Sequence, residues 1–238
     1  PAGPDAPRRD HRSLNHRPVP TMTRSLTTAW LIAALLPLAA QAATVQVTVL
    51  GRDGKPLADA VVVIEPGAGA KPAAPAPVST VINQQKMQFL PGTVVLPVGS
   101  KVTFTNQDSW EHHVRGTPAG LASLNAGTQP GFELRLDGKA DGKEPSSADV
   151  TLTKAGAFQL GCHLHGSMRG FIFVADSPWT LQTDANGMAT VQGVPEGAAK
   201  VRVVHADQLI EGPPMAVNIT PVTALNLPTQ VQPRRRRP

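Results

Sequence analysis

The 238-residue chain holds 24 prolines, 21 glycines, one cysteine and no tyrosine, and only 16% of its residues are charged. A single cysteine excludes an internal disulfide framework and a thiolate-rich zinc site, and abundant Pro and Gly with few charges favour a turn-rich β protein over a helical bundle. Residues 1–42 carry five arginines against two aspartates and Arg234, Arg235, Arg236 and Arg237 add four charges, so the formal +5 leaves residues 43–233 at −2. A nucleic-acid face needs clustered Lys and Arg on the structured surface, and none is expected here.

Residues 1–21 are rich in Pro and Arg and are read as a disordered extension or a mis-assigned start. Arg8-Arg9 stands too far ahead of the next apolar run for a twin-arginine signal. That run, residues 29–40, follows Met22-Thr23-Arg24 and ends in Ala40-Gln41-Ala42. A basic start, a short apolar stretch and a small-residue site predict a secretory signal peptide over 22–42, cleaved after Ala42. The run is too short for a stable membrane span, so a periplasmic protein with no integral span after cleavage is expected.

From residue 43 the chain reads as β. Residues 44–50 alternate with period two, 60–65 read as a buried strand, and Gly51-Arg52-Asp53-Gly54 between them is turn chemistry. Residues 66–77, dominated by Ala, Pro and Gly, read as a linker. A second block, 78–176, contains predicted strands over 93–96, 101–105, 132–136, 150–153 and 171–175. A third contains strands over 179–183, 188–191 and 201–205, with a tight turn at Asp184-Ala185-Asn186-Gly187. Residues 229–238 read as a disordered basic tail, solvated by default. No helical period follows the signal peptide, and the fold class is all-β.

Four of the seven histidines fall in two groups: His112-His113, and His163 with His165 beside Cys162. Cys162, His165 and Met168 stand at C-x-x-H-x-x-M spacing, so one short loop offers a thiolate, an imidazole and a thioether. A distant histidine completes a set of two imidazoles, one thiolate and a weak thioether, which is the ligand field of a type 1 copper site. A lone buried cysteine is ordinarily a small hydrophobe; the spacing of all three groups points instead to one copper ion. His205 has no partner pattern and reads as structural. Met87, Met188 and Met215 form no methionine-rich tract.

The blocks Phe104-Thr105-Asn106-Gln107-Asp108, His112-His113-Val114 and Phe158-Gln159-Leu160-Gly161-Cys162, with His165 and Met168-Arg169-Gly170, resemble the plastocyanin/amicyanin family of cupredoxins. The resemblance covers residues 78–176 and implies a Greek-key β-sandwich carrying copper. It places the first ligand, the histidine of an H-x-V triplet, at His112, with Cys162, His165 and an axial Met168 as the others. The two-residue gap between His165 and Met168 looks like amicyanin. Phe89-Leu90-Pro91 and the His-His-Val arrangement are also similar to periplasmic cupredoxin-like proteins labelled methylamine utilisation proteins. His113 stands where the family usually has Asn and is expected to be an outer hydrogen-bonder or an exposed neighbour rather than a ligand; it and Asn106 are the candidates to fix ring tautomers or bond near the thiolate. His163 beside Cys162 resembles multicopper oxidases, but the residue before the cysteine is Gly161 and further His pairs are lacking. A binuclear centre would need a second cysteine.

Gly51 to Val62 resembles the opening hairpin of carboxypeptidase-regulatory-like and immunoglobulin-like domains, and residues 183–203 resemble their later strands. The cupredoxin is therefore expected to be inserted in, or flanked by, a small immunoglobulin-like sandwich built from 43–65 and 177–228; two successive domains are the competing arrangement. The resemblance implies a monomeric, non-enzymatic carrier of single electrons between redox proteins. A copper-binding or delivery module with the same ligands is the alternative, and a metal-free structural domain a third. A hydrolase is not expected, because no recognised Ser/His/Asp motif or paired carboxylates occur.

Overall fold

The computed structural model describes residue 3 and residues 42–67, 73–120, 130–208 and 211–234. The predicted extension and signal peptide, apart from Gly3 and Ala42, lie outside the described residues, as do the middle of the linker and residues 235–238. Among the described residues every regular element is a strand, and no helix is long and apolar enough to cross a membrane. The strands are β1 (Ala42–Leu50), β2 (Val61–Pro66), β3 (Ser79–Gln85), β4 (Gln88–Leu90), β5 (Thr93–Pro97), β6 (Ser100–Asn106), β7 (His112–Ala119) and β8 (Phe132–Leu136). They continue with β9 (Ser147–Leu152), β10 (Gly156–Cys162), β11 (Arg169–Ala175), β12 (Thr180–Gln182), β13 (Met188–Pro195), β14 (Gly197–Val204), β15 (Met215–Ile219) and β16 (Val222–Pro228).

Alternation in β1 buries Ala43, Val45, Val47 and Val49 on one face. The strand lies between β13, antiparallel, and β16, parallel. A second sheet, ordered β12-β2-β14-β15, shares its core: Val62, Ile64 and Val201 join the β1 valines around Trp179. The chain leaves these two sheets after β2 and re-enters them at β12. Everything between builds another pair, β4-β3-β6-β9 and β5-β11-β10-β7-β8, whose shared core includes Ile82, Phe104, Leu136, Phe158 and Ile172.

A third apolar cluster joins the two pairs. In β2, Val62 and Ile64 face the first core while Val61 and Val63 face Ala157, Phe171 and Phe173. In β11 the split repeats, with Ile172 and Val174 in the second core and Phe171, Phe173 and Ala175 in the junction. A strand buried on both faces loses the polar half of its period, which explains the unbroken Val61-Val62-Val63-Ile64 run.

The structure differs from the sequence reading at the C-terminal end. The backbone N–H and side-chain hydroxyl of Thr229 both donate to the Leu50 carbonyl, Arg52 N–H donates to the Val231 carbonyl, and Val231 is buried in the first core. Residues 229–231 therefore dock rather than fray, and Arg234 N–H reaches Asp207. Strands β3, β4, β7, β10, β15 and β16 were not foreseen; burial is sparse in β3, β4, β15 and β16, β3 hiding only Ile82 and Gln84 fully, whereas β7 and β10 are well buried and carry His112 and Cys162.

Candidate metal centre

Strand β10 pairs with β7 so that Cys162 lies opposite Val114, which brings the end of one strand beside the start of the other. His112, the first residue of β7, points into the sandwich and is fully buried, as is Met168, and Cys162 is buried. After Cys162 the chain turns tightly, with Met168 N–H donating to the His165 carbonyl. That turn returns the half-buried His165 ring to the cysteine, while Met168 packs in the same apolar cluster as Cys162.

The three donor atoms form a small triangle. Cys162 Sγ is 3.7 Å from His112 Nδ1 and 3.4 Å from His165 Nδ1, and the two ring nitrogens are 3.2 Å apart. The circle through these three points has a radius of about 2.0 Å, the length of a first-row metal bond to nitrogen and slightly short of one to sulfur. Among the described residues, these three form the one group of His, Cys, Asp and Glu donors close enough to hold an ion.

His112 is held by Asp108. His112 Nε2 lies 2.9 Å from Asp108 Oδ2. A carboxylate only accepts, so in the neutral ring Nε2 carries the proton and Nδ1 turns a lone pair toward Cys162 and His165. Asp108 also accepts from Lys86 N–H at 2.6 Å and Met87 N–H at 3.1 Å. Both residues have positive φ in the two-residue turn between β3 and β4, a conformation that residues other than Gly, Asn and Asp seldom take. Burial pushes the Asp108 carboxyl up; the bonds from the His112 ring and the backbone N–H groups of Met87 and Lys86 outweigh it and hold the carboxyl below its ordinary value.

Asn106, expected near the metal, works one step further out. Its Nδ2 donates to the carbonyls of Trp110, Asp137 and Leu136, and its Oδ1 accepts from Asp108 N–H. It shapes the 107–111 loop that carries Asp108, and does not bond the thiolate or a ligand ring. His113 stands as an outer neighbour of the site, one of the two roles expected of it: strand alternation turns it to the outer face, beside Glu133 and His163. Fixing the His112 tautomer falls to Asp108, which the sequence reading left without a role. The signal was there, a carboxylate four residues before a ligand-type histidine. His205 serves structure, its Nδ1 accepting from Asp207 N–H.

Residues 76–175 match the family model of copper binding proteins of the plastocyanin/azurin family, which supports a cupredoxin-like β-sandwich in this segment and copper as its metal. No curated protein matches the chain. Among solved structures, a reduced amicyanin variant is 27% identical, with 41% of this chain and 82% of that one covered and a TM-score of 0.30. An oxidised amicyanin variant is 21% identical, covering 49% and 99%, at a TM-score of 0.32. The copper-containing nitrite reductase of Thermus scotoductus SA-01 is 22% identical, covering 48% of this chain and 25% of its own, at 0.31.

Proposed function

We propose that the chain is a periplasmic type 1 copper protein that carries single electrons between redox partners, with His112, Cys162, His165 and Met168 as ligands. Bound copper would supply a one-electron Cu(II)/Cu(I) couple. The observation that carries the reading is the buried triangle of one sulfur and two ring nitrogens, with a lone pair already aimed inward at His112. Cys162 contributes the thiolate, and Met168 a buried thioether suited to a weak fourth position. Asp108 keeps the His112 ring in one tautomer and orientation, so the donors are arranged before metal arrives and need little rearrangement when its charge changes. The half-buried His165 ring is the ligand nearest solvent, which suits it as the point of electron entry and exit.

The first pair of sheets fits an immunoglobulin-like module (43–65 plus 177–228) into which the copper domain is inserted, since among the described strands β1 and β2 pair with β12, β13, β14 and β16 and with none between. Cleavage after Ala42 would leave β1 starting at the buried Ala43. Absorption and EPR spectra of the copper-loaded chain test the ligand set, which requires an intense thiolate-to-copper band. Fast reversible voltammetry, without copper transfer to an apo-acceptor, distinguishes a carrier from a delivery module.

A further inference from the structure

We propose that Gln84 tunes the reduction potential of the metal centre from inside the core, its amide turning to meet the charge held there. The inference rests on the reading of the centre as a copper site. On β3, Ile82 and Gln84 are fully buried while Val81 and Asn83 are not, so the side chain of Gln84 enters the sandwich. Residues paired across a ladder share a face. Gln84 pairs with Phe89 on β4 and with Asn106 on β6, which places its amide between those two. Phe89 belongs to the same apolar cluster as Cys162 and Met168. The backbone ties Gln84 to the support of His112 as well. Its carbonyl accepts from Gln107 N–H at 2.8 Å, and Asp108 follows Gln107. The two backbone N–H groups that hold Asp108 come from Lys86 and Met87, in the turn that ends β3.

An inward position beside Ile82 and Phe89 suits a hydrophobe, and an amide there is costly unless it is paired. Neither Oε1 nor Nε2 of Gln84 has a partner among the described residues. The polar groups of its own layer are already engaged. Asn106 Nδ2 donates to three carbonyls and its Oδ1 accepts from Asp108 N–H, while Asp108 accepts from Lys86, Met87 and His112. With no bond to fix it, the amide can turn either its oxygen or its NH2 toward a nearby charge. Proteins break a packing rule of this kind where function requires it. The oxidised centre carries one positive charge more than the reduced one, since Cu(II) takes up a single electron to become Cu(I). In a core of low dielectric, a dipole of about 3.5 D, that of a peptide amide, is weakly screened. An amide oxygen turned toward that charge favours the oxidised centre and lowers the potential. Hydrocarbon in its place favours the less charged, reduced centre.

The test uses Q84M and Q84L in the full chain; methionine keeps the length of the side chain without the amide. In the copper-loaded proteins both should raise the reduction potential by about a three- to tenfold change in the Cu(I)/Cu(II) ratio at fixed electrode potential, about 30–60 mV for one electron. The thiolate-to-copper band and the EPR spectrum should stay as in the wild type, because the amide bonds no ligand. Urea titrations of the copper-free chain should move to a higher midpoint in both variants, since each replaces an unpartnered amide. A purely structural glutamine would move the midpoint and leave the potential alone. A potential that falls or that rises by less than about twofold in that ratio, a displaced band, or a lower midpoint in either variant overturns the proposal. A wild type without the thiolate-to-copper band refutes the copper reading and this one with it, whereas a normal band with equal potentials in all three proteins refutes this one alone.

Discussion

Replacing Asp108 with Asn changes one atom and tests the support of the metal centre. The carboxylate accepts three N–H groups over two oxygens: His112 Nε2 and Met87 N on Oδ2, Lys86 N on Oδ1. An amide accepts on one side only. With its oxygen toward His112 and Met87, its NH2 faces Lys86 N–H; reversed, it opposes the other two. An orphaned donor costs about 1–3 kcal/mol and each remaining bond weakens without the charge, so D108N should lose about 2–3 kcal/mol of stability. Copper affinity should fall about 10–100-fold, the usual cost of removing a ligand's outer hydrogen-bond partner. The pH dependence has a definite sign. Folded Asp108 titrates below its ordinary value, so its contribution is complete above the unfolded pKa of about 3.9 and is lost as pH falls through the lower, folded value. Urea unfolding of the copper-free chain should show the wild-type advantage at pH 7 shrinking toward zero in acid. A D108N protein within about 0.5 kcal/mol of wild type at pH 7, with unchanged copper retention, would refute the assigned role.

Cys162→Ser should abolish the intense thiolate-to-copper absorption, whereas Met168→Leu should keep the colour and raise the potential; spectra and voltammetry of both variants check this. Gln84 is fully buried on β3 and neither end of its amide has a partner among the described residues. Gln84→Leu should therefore stabilise the chain by about 1–3 kcal/mol in urea titrations, and a loss of stability would contradict the unpaired state. Phe173→Ala, at the junction of the two sheet pairs, should cost about 3–5 kcal/mol and leave the copper spectrum unchanged, because the residue faces away from the metal-side core. A shifted spectrum would show that the junction shapes the site.

The C-x-x-H-x-x-M loop was legible because its three donors lie within seven residues, where spacing alone brings them together. The alternating strand 44–50 and the strand at 132–136 were legible for a similar reason, since period-two burial is written locally. Strands that bury one or two side chains, such as β3, leave almost no such trace. The Pro/Arg composition after residue 229 suggested a free tail, yet Val231 completes a core whose other members lie up to 188 positions earlier.

The primary structure by itself determined which chemistry was available: one thiol, a few imidazoles, a thioether, and a β-rich chain to carry them. Tertiary pairing decided that Asp108 orients the inward His112 and that His113 and His163 come to lie beside Glu133 on the outer face. Those outcomes depend on the register of β7 against β8 and β10, set by contacts among residues far apart in the chain; shifting one strand by a residue would exchange its inner and outer faces.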